Sequence, residues 1–157
     1  MKEIESDAMF RGKRLDNGKW VEGYYAKFGR ADYILSGKMK KTGHSDEYNS
    51  ICYQPEKYGI FPDSKSQYIG LHDKNGKRVF SGDIVKLNDG TDELYVVQKE
   101  CDTPGGYWAE TGYILKHIGW SDYLHFTDTI DDWENECQIF VIGNTYDNKE
   151  ILKGNKK

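Results

Sequence analysis

The amino-acid sequence predicts a mostly β protein of short antiparallel strands, arranged in one or two small open barrels (SH3-like or similar) with little helix. Three observations carry that expectation. Aromatic residues are abundant: 12 Tyr, 6 Phe and 4 Trp make up 14% of the 157 residues, and large rings suit pleated strands better than helices. Three dipeptides that favour tight reversals, Asn17-Gly18, Asn75-Gly76 and Asp89-Gly90, each separate two strand-like segments. No stretch keeps a 3.6-residue apolar period for three helical turns.

Taken in order, Phe10–Leu15 and Lys19–Phe28 flank the first turn. In the second segment Trp20, Glu22, Tyr24, Ala26 and Phe28 alternate against Val21, Gly23 and Tyr25, so one face is mainly aromatic. Tyr33-Ile34-Leu35 is a short apolar run. Residues 37–50 (GKMKKTGHSDEYNS) are polar and Gly-bearing, which predicts a loop. Gln67–His72 and Lys77–Phe80 flank the second turn; Asp83–Leu87 and Glu93–Lys99 flank the third. CDTPGG at 101–106 predicts another loop, and Tyr113–Ile118 and Ile139–Ile142 read as later strands. Helix is expected only as a turn or two within 121–137 and at Asn148–Leu152. The chain reads as one domain over 1–157. If it divides, Pro62 and the polar run after it place the boundary between 1–62 and 63–157.

The net charge is -4, which offers no global attraction to nucleic acid or an anionic membrane. The distribution is uneven: residues 1–66 carry 12 basic and 10 acidic side chains, residues 67–157 carry 10 and 16. Asp122, Asp128, Asp131, Asp132, Glu134 and Glu136 follow one another without an intervening Lys or Arg, a pattern that usually marks a solvated acidic face. Cys52, Cys101 and Cys137 are odd in number and widely spaced. They predict reduced thiols in a cytoplasmic protein rather than a disulfide framework. The acidic start MKEIESDAMF does not resemble a secretion signal, and no apolar run reaches bilayer length.

The central segment QYIGLHDKNGKRVFSGDIVKL, Gln67–Leu87, is dense in residues that bend a backbone: Gly70, Asp73, Asn75, Gly76, Gly82 and Asp83. Asp73 is suited to accept backbone amides two residues on and shape the turn. Gly82 permits a reversal or bulge before Ile84 and Val85 enter the core. These residues are expected to serve structure.

The same string resembles the hallmark segment of the YopX family, proteins encoded by phages and prophages. FRGKRLDNGKWVEGYY resembles the family's N-terminal hairpin, and FVIGNTYDNKEIL its C-terminal element, with Phe140 where the family has Glu and Lys149 where it has Pro. Lys38–Ser50 and Glu100–Glu136 have no counterpart in these motifs. The resemblance implies a β-rich fold; it brings no catalytic residue, cofactor or molecular function.

Functional expectations therefore rest on the residues. His44, His72, His117 and His125 are the only histidines, and the last two are eight apart, too far for paired ligands on one helical turn. A site of His117, His125 and Asp122 would be the sole enzymatic candidate, while Cys101 has no basic neighbour in sequence to activate it. No catalytic, cofactor or metal residues are assigned, and the chain is expected not to be an enzyme. The resemblance implies a phage accessory protein, and the abundance of Tyr and Trp, which favour interfaces, adds the expectation that it binds a protein partner or assembles with itself. The alternative is a β-barrel binder of single-stranded nucleic acid. Its candidate residues are Arg11, Lys13, Arg14, Lys19, Trp20 and Tyr24 on the first hairpin, with Tyr25 beside them and Lys38, Lys40 and Lys41 beyond.

Overall fold

The computed structural model describes residues 9–45, 47, 50–99, 113–119, 123–125, 130–131 and 136–154. The chain divides into two compact units, Met1–Gln67 and Tyr68–Lys157. Both are antiparallel β structures, and no barrel closes among the described residues.

The first unit is a meander of β1 (Met9–Lys13), β2 (Trp20–Phe28), β3 (Ala31–Ser45) and β4 (Ser50–Gly59), side by side in chain order. Asn17-Gly18 makes the first reversal: the Asn17 side-chain oxygen accepts the Lys19 amide at 2.9 Å, and the Gly18 amide donates to the Arg14 carbonyl at 3.0 Å. The sheet curls strongly, since Ile60, just past β4, forms an isolated bridge with Arg14, just past β1. Its amide also donates to the Asp32 carbonyl at 3.0 Å, so the end of β4 reaches both β3 and β1. Inside the curl lie Ile34 and Ile60, at 0% and 1% exposure. Gly12 provides the room: a Cβ there would stand 2.4 Å from Ile60 Cδ1. A 3-10 turn at Pro62–Ser64 follows, and the buried Ser64 hydroxyl accepts the Lys13 amide at 2.7 Å. β5 (Ser66–His72) begins in this unit, where Ser66 and Gln67 pair with Arg11 and Phe10.

Residues 37–50 correct the expectation of a loop. β3 runs on to Ser45 and pairs with β4 from Met39↔Pro55 to Ser45↔Ser50, with register shifts on the way. β2 accompanies β3 only over Ala31–Leu35, so the distal part is a two-stranded ribbon. The sequence conceals it because a ribbon exposed on both faces needs no alternation of apolar and polar residues.

In the second unit β5 continues through Tyr68–His72 and pairs with β6 (Arg78–Phe80). β7 (Asp83–Leu87), β8 (Leu94–Lys99), β9 (Tyr113–His117) and β10 (Tyr123–His125) follow, with a short pair, β11 (Ile130–Asp131) and β12 (Glu136–Cys137). β13 (Ile139–Asn144) adds beside β7, giving a five-stranded sheet in the order β10-β9-β8-β7-β13. The described parts of 121–137 are thus strands rather than helical turns. α1 (Lys149–Gly154) supplies the expected C-terminal helical turn. The core gathers Ile69, Val79, Val85, Tyr95, Val97, Tyr113, Leu115 and Ile139. Its β-branched and aromatic character explains why these segments pair as strands. The loop expected at 101–106 lies outside the described residues.

The hallmark segment works as structure. The Asp73 amide donates to the Lys77 carbonyl at 2.7 Å and the Gly76 amide to the Asp73 carbonyl at 3.0 Å. With Gly76 at φ +79, this is a three-residue hairpin loop in which a left-handed residue follows the turn, the position glycine fills at least cost. Asp73 is buried; its Oδ1 accepts the Asn75 and Lys77 amides at 2.9 and 2.8 Å, and its Oδ2 accepts the Val141 amide at 3.0 Å. Gly82, at φ +83, donates to the Val97 carbonyl and accepts from the Thr145 amide, both at 2.8 Å. Asp83, fully buried, accepts the Phe80 amide at 2.8 Å and pairs with Asn144 in the ladder. Gly70, at φ +85, sits where the β5–β6 register is irregular. The central and C-terminal motifs are therefore two halves of one hydrogen-bonded assembly.

Candidate binding surface

The register of the first sheet decides which side chains share a face. Lys13 lies opposite Trp20, Arg11 opposite Glu22 and Met9 opposite Tyr24. Because side chains alternate along a strand, Met9, Arg11, Lys13, Trp20, Glu22, Tyr24, Ala26 and Phe28 form one face. β3 extends it through Tyr33 and Leu35, which pair with Ala26 and Tyr24, and β4 through Lys57, which pairs with Leu35. The opposite face carries Tyr25, Asp32, Ile34 and Tyr58.

Cations and rings interleave on the first of these faces. The Arg11 guanidinium lies 4.8 Å from the centre of a Trp20 ring and the Lys13 ammonium 5.8 Å. Lys57 reaches both Phe28, at 5.6 Å, and Tyr33, at 5.3 Å. Phe28 and Tyr33 meet edge to face at 5.7 Å. Exposure varies along the face: Arg11 is 7% exposed, Trp20 and Tyr33 are partly covered, and Tyr24 and Phe28 are open at 43% and 58%. Arg11 therefore acts mainly as a buried cation backing Trp20, whereas Tyr24 and Phe28 present ring surface to solvent.

The sequence candidates are only partly brought together. Arg11, Lys13, Trp20 and Tyr24 share this face. Arg14 does not: it lies 4.0 Å over the Tyr58 ring, and its Nε donates to Asp16 Oδ1 at 2.9 Å. A second guanidinium nitrogen completes a fork to Asp16 Oδ2 at 2.5 Å. The fork raises the Arg14 pKa and lowers that of Asp16, each chiefly through the hydrogen bond between them. Lys19 is an exposed turn residue. Tyr25 points the other way, donating its hydroxyl to the buried Asp32, and that bond is the main reason its pKa is raised. Lys65 covers the Tyr25 ring at 4.2 Å. Sequence reasoning missed Tyr33 and Lys57, which come from two further strands, and it left Phe28 out of the candidate set. The alternation ending at Phe28 was the available signal.

Charge follows the same partition. Among the described residues Glu22 is the acid on the aromatic face, opposite Arg11. Of the other sheet acids, Asp32 is bound to Tyr25, and Glu56 accepts from Ser36 and Tyr58 at 3.3 and 3.2 Å.

The distal ribbon is a second surface. Met39, Ile51 and Tyr53 are 59%, 47% and 55% exposed, and Lys38, Lys40 and Lys41 are exposed beside them. Along its base runs an open groove of about 490 Å³ lined by residues including Lys40, Lys41, Gln54, Glu56 and Tyr58. Cys52 is an exposed free thiol on β4, and His44 belongs to β3 rather than to a loop.

In the second unit, His117 Nε2 lies 3.9 Å from Glu93 Oε2, and its ring meets Tyr95 edge to face at 5.1 Å. The backbone of His125 pairs with Ile114, while Asp122 and Cys101 lie outside the described residues. Among the described residues no group of three or more His, Cys, Asp or Glu is placed to hold a metal ion. Among them also, no helix is long and apolar enough to cross a membrane.

Fold and surface together define a mostly β, antiparallel protein with an exposed face of interleaved rings and cations. The chain belongs to the YopX family: the family model described as YopX protein matches residues 9–153, nearly the whole length. A search of curated proteins finds no match.

Proposed function

We propose that this chain is a non-catalytic phage or prophage accessory protein of the host cytoplasm, and that it acts by binding a protein partner or another copy of itself. The observation behind the reading is the β3–β4 ribbon. It carries large apolar side chains into solvent at Met39, Ile51 and Tyr53. β4 is an edge strand, and β3 beyond Leu35 has no second neighbour among the described residues. Open strand edges recruit extended segments through main-chain hydrogen bonds, with alternate side chains giving selectivity. Lys38, Lys40 and Lys41 oppose indiscriminate edge pairing and favour a partner segment that brings carboxylates. A second copy can supply these from its acidic stretch at 122–136.

The test places a photo-crosslinking amino acid at Tyr53 and, as a control, at Asn88 in the second unit. Cells producing the protein are irradiated, and the purified protein is sized by light scattering. A protein adduct or self-adduct from position 53 and not from position 88 is the expected outcome. A strictly monomeric chain with no protein adduct at position 53 overturns the reading.

A further inference from the structure

We infer that the Trp20–Phe28 face of the first sheet is a binding site for single-stranded nucleic acid. The inference concerns a different surface from the ribbon and stands or falls separately.

Trp20, Tyr24 and Phe28 are four residues apart on one strand, so successive rings start about 13 Å apart on the same face. Each can take a different base. Tyr33, opposite Ala26, adds a ring between the last two stations. Stacking on such rings needs no particular base, because every base has a π-face. A duplex, whose bases are already stacked internally, cannot use them in this way.

Charge then selects the ligand class. A net charge of -4 argues against nucleic acid for the molecule as a whole. The register nevertheless puts Arg11, Lys13 and Lys57 on this face, with Glu22 as its one acid among the described residues. Asp16 is held by Arg14, and Asp32 and Glu56 are hydrogen-bonded on the other side. Arg11 is buried against Trp20, so it reinforces the field there, while Lys13 stands beside Trp20 and Lys57 beside Phe28 and Tyr33. Rings with flanking cations are the combination that single-strand grooves use. An apolar protein segment would gain nothing from the cations, and a free phosphate nothing from the rings.

The experiment measures fluorescence anisotropy of labelled 12-nucleotide dT and U strands titrated with full-length protein, first in low salt and then at rising salt. Saturable binding is expected below tens of micromolar protein, weaker for a duplex of the same length. Phe28→Ala and Tyr24→Ala should each lower affinity by about fivefold to a hundredfold, with the circular dichroism spectrum unchanged. Combining Lys13→Gln with Lys57→Gln should flatten the log–log salt slope by about 1.4. No anisotropy change at low salt overturns the inference. So does duplex binding as tight as single-strand binding, or binding that ignores Tyr24 and Phe28 but is lost in a triple Lys38, Lys40, Lys41→Gln variant. A crosslinker at Phe28 that captures protein but no nucleic acid likewise assigns the face to a protein partner and overturns it.

Discussion

The two units spend their hydrophobic residues differently. The second gathers one continuous core, with Val79, Val85, Val97, Leu115 and Ile139 at or near zero exposure. The first buries Ile34 and Ile60 completely but leaves Tyr24, Phe28, Met39, Ile51 and Tyr53 in solvent. Buried apolar area stabilises at roughly 25 cal/mol per Å², so rings held in water forgo that gain. The difference separates a unit that gathers its apolar side chains into one core from one that leaves several of its rings and apolar side chains in solvent. The family's most recognisable central segment falls mainly in the second unit, and the open rings lie in the first.

Substitutions can break this contrast, and the largest effect is expected at Asp73. Asp73→Ala would leave three amides, those of Asn75, Lys77 and Val141, without their acceptor. A loss of about 3–6 kcal/mol is expected, measured by urea denaturation. A loss below about 1 kcal/mol would mean that these three bonds do not hold the assembly together. Leu115→Ala, at a fully buried position, should cost about 2–5 kcal/mol. Gly12→Val should cost about 1–3 kcal/mol by crowding Ile60. The double variant Tyr24→Ser, Phe28→Ser should change stability by only about 0.5 kcal/mol per site or less; a large loss would make those rings part of a core and remove the contrast.

The smallest effect concerns pH. The bond to Asp32 raises the Tyr25 pKa in the folded state. A raised folded pKa contributes stability that is present below the unfolded value, about 10, and fades as pH rises through the folded one. Alkaline titration by phenolate absorbance should therefore show a late-titrating tyrosine that Asp32→Asn shifts earlier.

What the sequence discloses follows from how local the cause is. Gly18, Gly76 and Gly90 mark their hairpins because a turn is decided within a few residues. The Asp73 amide bonds at Asn75 and Lys77 are local in the same way, whereas its bond to Val141, 68 positions away, carries no local signature. The ribbon escaped notice because its strands have no buried face to impose a period. The face of rings and cations was half legible. Lys13 and Arg14 look equivalent as neighbours, yet alternation sends them to opposite sides, where Arg14 meets Asp16 and Tyr58. Tyr33 and Lys57 join the face only once three strands are in register.

The placement of β13 has a consequence for synthesis. The strand lies at the edge of its sheet beside β7; it supplies the Val141 amide that Asp73 accepts, and the Thr145 amide just past it donates to the Gly82 carbonyl. A nascent chain can form the local hairpins as soon as their residues emerge. It cannot complete the second unit until Ile139–Asn144 has cleared the ribosome, and until then β7 offers an open edge to other growing chains. Pauses in translation before that point are therefore when this protein is most exposed to misassembly.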